Sequence, residues 1–208
     1  MPEKVDNFIM RKWLETLRDI VGENGLKSIL NYAHLPFYID SFPPDTDEIA
    51  IPVEHLQQLY KAILELFGQK GAHSLQLTVG REVMHNMIEG RPAVTVPVKA
   101  AAHLLPESKK MRMTLKKFID QSLKRAPSKL GEHRYELREE EDCFLFIDRD
   151  YEGSVDIVST GPVCGFLVGM LHYSMEWITG HPHTVKEIEC RAMGYPADVI
   201  KIWKSPEA

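Results

Sequence analysis

Arg134-Tyr135-Glu136-Leu137-Arg138-Glu139-Glu140-Glu141-Asp142-Cys143-Phe144-Leu145-Phe146-Ile147-Asp148 is the stretch on which the fold reading turns. From Gly131 the hydrophobic period changes from helical to two. Tyr135 and Leu137 alternate with charges, residues 139–142 are polar, and residues 143–147 form a continuous apolar run. Alternation, a polar turn and an apolar run predict an antiparallel hairpin. Downstream, Gly161-Pro162 opens a helix through Phe166, Met170, Tyr173 and Trp177 that stops at Gly180. Two further strands are predicted over residues 184–192 and 198–203.

Upstream, everything reads as helix. Met10, Trp13, Leu14, Leu17 and Val21 recur at helical spacing, with Gly22 and Gly25 as punctuation, and a short helix follows over residues 26–34, closed by Pro36. Residues 37–51, with Pro43 and Pro44, read as a loop. Pro52 begins a helix with the stripe Leu56, Leu59, Tyr60, Ile63 and Phe67. Gly68 and Gly71 separate it from a helix through Leu75, Val79, Val83 and Met87. Pro97 and Pro106 bracket a short helix, and a basic one runs to about Arg125 with Met111, Leu115, Phe118, Ile119 and Ser122 on one face. The order predicts an α+β fold, N-terminal helices packed on a C-terminal antiparallel sheet arranged strand-strand-helix-strand-strand. No linker is evident, so the expectation is one domain over 1–208, with 1–130 mainly helical and 131–208 carrying the sheet.

Composition excludes several classes. Of 208 residues, 44% are hydrophobic and 26% charged, as in ordinary globular proteins. The longest uncharged stretch, residues 157–175, is broken by Ser159, Thr160, Gly161, Pro162 and His172, so no membrane span is expected. The first residues lack a secretion signal, and Cys143, Cys164 and Cys190 make no disulfide framework; a cytoplasmic, reducing location is expected. The net charge of −5 and the lack of a reader motif argue against nucleic acid. Residues 103–129 nonetheless hold eight Lys or Arg, and residues 132–156 hold ten Asp or Glu. These read as solvated faces that partly neutralise each other.

No phosphate loop, dinucleotide fingerprint, His-Glu-x-x-His or Gly-x-Ser-x-Gly occurs, so no catalytic residue is assigned. Gly161, Gly165 and Gly169, four apart, make a stripe suited to close helix–sheet packing or to a flat ligand. In the final hairpin, alternation groups Ile188, Cys190 and Ala192 on one face and Asp198, Ile200 and Ile202 on the next strand. The turn at Gly194-Tyr195-Pro196 then makes Cys190 a neighbour of Asp198. One cysteine and one aspartate are a poor zinc site.

This closing segment resembles that of the 4-vinyl reductase, or hydrocarbon-binding, domain family. Glu189, Cys190 and Gly194 match its pattern, Asp198 stands where the family has a second cysteine, and Ile200 replaces an aromatic. The helix start Gly161-Pro162-Val163-Cys164-Gly165-Phe166, with Gly169, is similar too; the resemblance covers residues 132–203. It implies a fold shared with the TRAPP vesicle-tethering subunits and the haem-nitric-oxide-binding domains, the NO-signalling/Golgi-transport-like fold, able to enclose an apolar cavity. Members act as sensory domains for aromatics, as acyl-chain binders and as accessory proteins in bacteriochlorophyll synthesis. Some carry a metal at their cysteines; here the donors would be Cys164, Cys190, Asp198 and His183, and Asp198 puts that site in doubt. A haem would need a helical histidine, for which His85 and His103 are the candidates, but nothing local singles out either. Neither zinc nor haem is therefore expected.

The resulting expectation is a carrier or sensor holding a fatty, aromatic or tetrapyrrole ligand, and not an enzyme. Its predicted cavity residues are Phe118, Phe144, Phe146, Phe166, Met170, Tyr173 and Trp177, with Cys190 beside them. The alternatives are a reductase or accessory protein acting on the vinyl group of a bacteriochlorophyll precursor, and an interaction protein docking through residues 109–124. A homodimer is compatible with the chain.

Overall fold

Helix α1 (Asn7–Tyr32) starts where the Asp6 carboxylate accepts the Ile9 N–H at 2.7 Å, satisfying one donor that a helix N-terminus leaves free. The computed structural model describes residues 3–207. Met10, Trp13, Leu14 and Leu17 form the buried stripe. At Gly22 the chain adopts φ 75°, which a glycine tolerates without a Cβ clash, and the helix resumes in a new direction. Helix α2 (Val53–Glu89) repeats the device at Gly68, φ 65°. The breaks expected from the sequence thus fall at Gly22 and Gly68, where the backbone leaves helical geometry and one helical segment gives way to the next.

Helix α3 (Pro92–Ala102) begins at Pro92 and contains Pro97, instead of starting there as expected. Its surface position makes the lost hydrogen bond tolerable, since Ala93, whose carbonyl Pro97 cannot serve, is exposed. Helix α4 (Glu107–Arg125) follows Pro106. Strands β1 (Lys4–Asp6) and β2 (Ile49–Pro52) pair antiparallel, with Val5 opposite Ile51. This corrects the loop expected over residues 37–51: its last residues are a strand, because β1 offers them a partner.

The main sheet holds β3 (Tyr135–Glu139), β4 (Cys143–Asp148), β5 (His183–Glu189) and β6 (Asp198–Pro206). Its order is β3-β4-β6-β5, and every pair is antiparallel. Helix α5 (Gly165–Thr179) connects β4 to β5 in sequence and lies in the middle of the molecule. Phe144, Phe146, Ile200 and Ile202 point into the main core, whereas Ile147, Ala197 and Val199 form a small cluster of their own. Trp13 stacks on Phe166 at 5.2 Å and meets Tyr60 edge-on at 5.5 Å, tying α1 and α2 to α5. This is the α+β architecture that the order of periodicities predicts. Among the described residues no helix is long and apolar enough to cross a membrane.

Two local expectations are corrected. The glycine stripe of α5 faces α2, not the sheet: Gly165 abuts the His73 carbonyl and Gly169 the Leu77 carbonyl. In β5 a register shift between Glu187 and Glu189 turns Glu187 inward, 5% exposed, and Ile188 outward, 45% exposed. Strict alternation gives the opposite; a bulge inserts one residue and re-aims those after it.

Candidate functional site

A cavity of about 640 Å³ opens between α2, α3, α4, α5 and the sheet edge. Met84, Met87 and Ile88 come from the last turns of α2, Val98 and Ala101 from α3, Met113 and Phe118 from α4, and Phe166, Leu167, Met170 and Trp177 from α5. Its volume falls in the range of small-molecule sites, and thioethers give such a wall adaptable packing. Ser174 lines it with its hydroxyl proton donated to the Met170 carbonyl at 2.7 Å, so only its oxygen is left to accept.

One end of the cavity is charged. Arg91, Lys117, Arg125 and Arg134 line it against Asp148 and Glu152. Arg125 donates to Asp6 at 2.6 Å and to Asp47 at 3.1 Å. Arg134 grips both oxygens of Asp148 at 3.0 Å and reaches Glu152 at 2.8 Å. Burial pushes the Asp148 carboxyl up to about 6, outweighing the downward pull of Arg134. Burial likewise raises Asp6 against the Ile9 N–H and Arg125. Above this belt Tyr151 donates its hydroxyl to Tyr60 at 3.2 Å, and burial holds it as a protonated phenol.

Of the residues proposed from sequence, Phe118, Phe166, Met170 and Trp177 line this space. Phe144 and Phe146 lie outside it, filled in on every side within the core, because β4 is flanked by β3 and β6 and covered by helices. Tyr173 is next to the lining residues on α5 but is not part of the wall; its hydroxyl is 2.7 Å from His85 Nδ1. Cys190 belongs to a separate polar cluster. Sequence reasoning expected methionines in the wall but named only Met170 among them, and it missed the whole charged end.

No protein-family model matches the chain, and no curated protein matches it in sequence. Solved structures do. A structure from work on haem distortion in the H-NOX family superposes with TM-score 0.60 at 17% identity, covering 98% of this chain and 97% of that one. A single-site mutant of T. tengcongensis H-NOX gives 0.57 at 14% identity over 98% and 100%. An oxygen-binding H-NOX domain related to soluble guanylate cyclases gives 0.55 at 15% identity over 97% and 96%. The chain has the H-NOX fold.

An H-NOX fold raises the question of haem, whose iron takes a His, Cys, Met or Tyr from the protein. Among the described residues lining the cavity there is no histidine and no cysteine. His85 is engaged with Tyr173, and His103 is exposed beyond α3. Tyr151 is held as a phenol by its burial, and the lining thioethers would stand without the histidine that normally accompanies them. These residues do not fit a histidine-ligated haem.

On the far side of α5, Cys164, Glu187, Cys190 and Asp198 are all buried, with donor atoms within 4.8 Å of one another. Glu187 Oε2 accepts the Cys164 N–H at 2.9 Å, but Oε1 has no partner among the described residues. Asp198 accepts from Arg191 N–H at 2.8 Å and from the Ser154 hydroxyl at 2.6 Å. Burial pushes the Cys164 thiol well up and raises Glu187. His183, cast from sequence as the fourth donor, is elsewhere, beside Glu107 and His181. The bulge in β5 brings Glu187 into its place, three residues ahead of Cys190; without the bulge the spacing carries no signal.

Proposed function

We propose that this protein binds an apolar small molecule with an anionic head group, a fatty or aromatic acid, as a carrier or sensor. The observation that carries this reading is the apolar cavity of about 640 Å³ with arginines at one end. Apolar area removed from water supplies affinity at about 25 cal/mol per Å², before association costs. The charged end would fix orientation through Lys117, with the guanidinium groups held in place by their own carboxylates until one of those is protonated. The H-NOX fold of the solved neighbours supports a small-molecule sensor, and the resemblance to hydrocarbon-binding domains supports an apolar ligand. The chemistry of the lining favours a ligand that needs no axial histidine.

A fluorescent fatty acid titrated into the purified protein tests it. The expected result is saturable binding, displaced by decanoic acid and less well by decanol. Ser174→Phe should fill the cavity and weaken binding at least about tenfold, equal to 1.4 kcal/mol, while the protein stays folded. Absence of saturable binding, together with no ligand in extracts of natively purified protein, would sink the proposal.

A second reading rests on the unpartnered Glu187 oxygen. Two thiols and two carboxylates at mutual distances within 4.8 Å form a four-donor set of the kind zinc accepts, and metal binding would remove the thiol protons. Its role would be to tie β5, β6 and the start of α5 together. Cobalt(II) taken up there gives thiolate charge-transfer absorption; reduced protein lacking that band would remove this reading.

A further inference from the structure

Glu107, His181 and His183 meet at the opposite end of α4 from the charged belt. His181 lies in the turn after α5, His183 is the first residue of β5, and Glu107 is the first residue of α4. His181 Nε2 is 2.9 Å from Glu107 Oε2, and His183 Nε2 is 3.6 Å from Glu107 Oε1. The two imidazole rings are 5.0 Å apart. One donor atom from each residue lies within 4.8 Å of the others.

The hydrogen bonding of His183 gives this cluster its meaning. Its ring is completely buried, and Nδ1 is 3.0 Å from the Trp203 carbonyl. A carbonyl only accepts, so Nδ1 carries a proton, and in neutral imidazole Nε2 is left with its lone pair. That nitrogen has no hydrogen-bond partner among the described residues and faces a carboxylate oxygen beyond hydrogen-bond reach. Two acceptors facing each other, the imidazole completely buried and the carboxylate partly exposed, call for a cation between them. An Nδ1–H bound to a backbone carbonyl, with Nε2 free, is also how proteins orient a histidine for a metal. Glu207 reaches the same corner, anchored by its N–H, which it donates to the Pro182 carbonyl at 3.0 Å.

We propose that Glu107, His181 and His183 bind a divalent transition metal of the zinc, nickel or cobalt class. Two imidazoles and one carboxylate suit such ions and leave coordination positions for water or an exogenous ligand. The ion would clamp the first turn of α4 to the junction of α5 and β5. It is independent of the thiol cluster and of any ligand in the cavity.

Nickel(II) and cobalt(II) titrations of the full chain, followed calorimetrically and by absorption, test the site. The expected result is uptake with the visible ligand-field bands of nitrogen and oxygen ligation, separate from any thiolate charge-transfer band of the cysteine cluster. His181→Ala and Glu107→Gln, both at partly exposed positions, should each weaken uptake at least about tenfold. Any thiolate band from the cysteine cluster should survive in both variants, which separates the two sites. A cationic His183 paired with Glu107 is the alternative, and it predicts no such uptake. Lack of uptake by the wild type, or uptake unchanged in both variants, overturns the proposal.

Discussion

Gly80 and Gly169 bring the backbones of α2 and α5 into contact. A Cβ on Gly80 would overlap the Phe166 carbonyl, and one on Gly169 the Leu77 carbonyl. In both cases the obstacle is backbone, which cannot rotate away as a side-chain tip can. The approach holds Phe166 against Trp13 on one side and the cavity on the other. Gly169→Ala should therefore destabilise by about 2 kcal/mol, the usual cost of overpacking. For a chain of this size that corresponds to a melting temperature lower by about 4–8 °C. Gly161→Ala is the control: the atoms nearest its would-be Cβ all belong to the Gln69 side chain, which can move. Equal effects of the two substitutions in a thermal melt would remove the argument.

At the scale of elements, legibility in the sequence followed length and period. Strand β3 and helix α5 are readable because five or more residues obey one period, and β4 because a continuous apolar run follows a polar turn. Strand β1, three residues long, is too short to show alternation and exists because β2 lies beside it. The cavity was legible only in part. Phe118 and Phe166 line it while Phe144 and Phe146 do not, yet all four look alike in sequence. Apolar periodicity says which face turns inward, not whether facing elements meet. Helix α3 is the element where they meet least: it carries Pro97, and Ala102 is its one buried residue among the described side chains. Local opening follows low burial and exposed hydrogen bonds, so α3 is the expected entry door. Its amides should exchange with solvent faster than those of α5, and Pro97→Ala, which restores a helical N–H, should slow both α3 exchange and release of a bound fatty acid. Hydrogen-exchange mass spectrometry finding α3 as protected as α5 would contradict this.

At the scale of the whole molecule, the charged end of the cavity joins parts of the chain that are far apart in sequence. Asp6 ends β1, Arg91 precedes α3, Arg125 closes α4, and Arg134 and Asp148 flank the β3–β4 hairpin. Breaking such a buried pair costs more than making it gains, so the belt acts chiefly by fixing register between helices and sheet. Its proton affinity then governs the cavity. Asp148, with its carboxyl pushed up to about 6, takes up a proton on folding in the range between the ordinary aspartate value and 6. By linkage, its contribution to stability is most favourable below about pH 4 and declines as pH rises through 6. Protonation also removes a negative charge from the lining and leaves Arg134 paired with Glu152 alone, freer to meet an anion. An apolar sulfonate dye, whose own charge is constant across this range, should therefore bind more tightly as pH falls through about 6. A neutral dye of similar size should not respond, and Asp148→Asn should flatten the sulfonate profile at its low-pH level. Parallel pH profiles for the two dyes in the wild type would show that the arginine end does not face the ligand's head group.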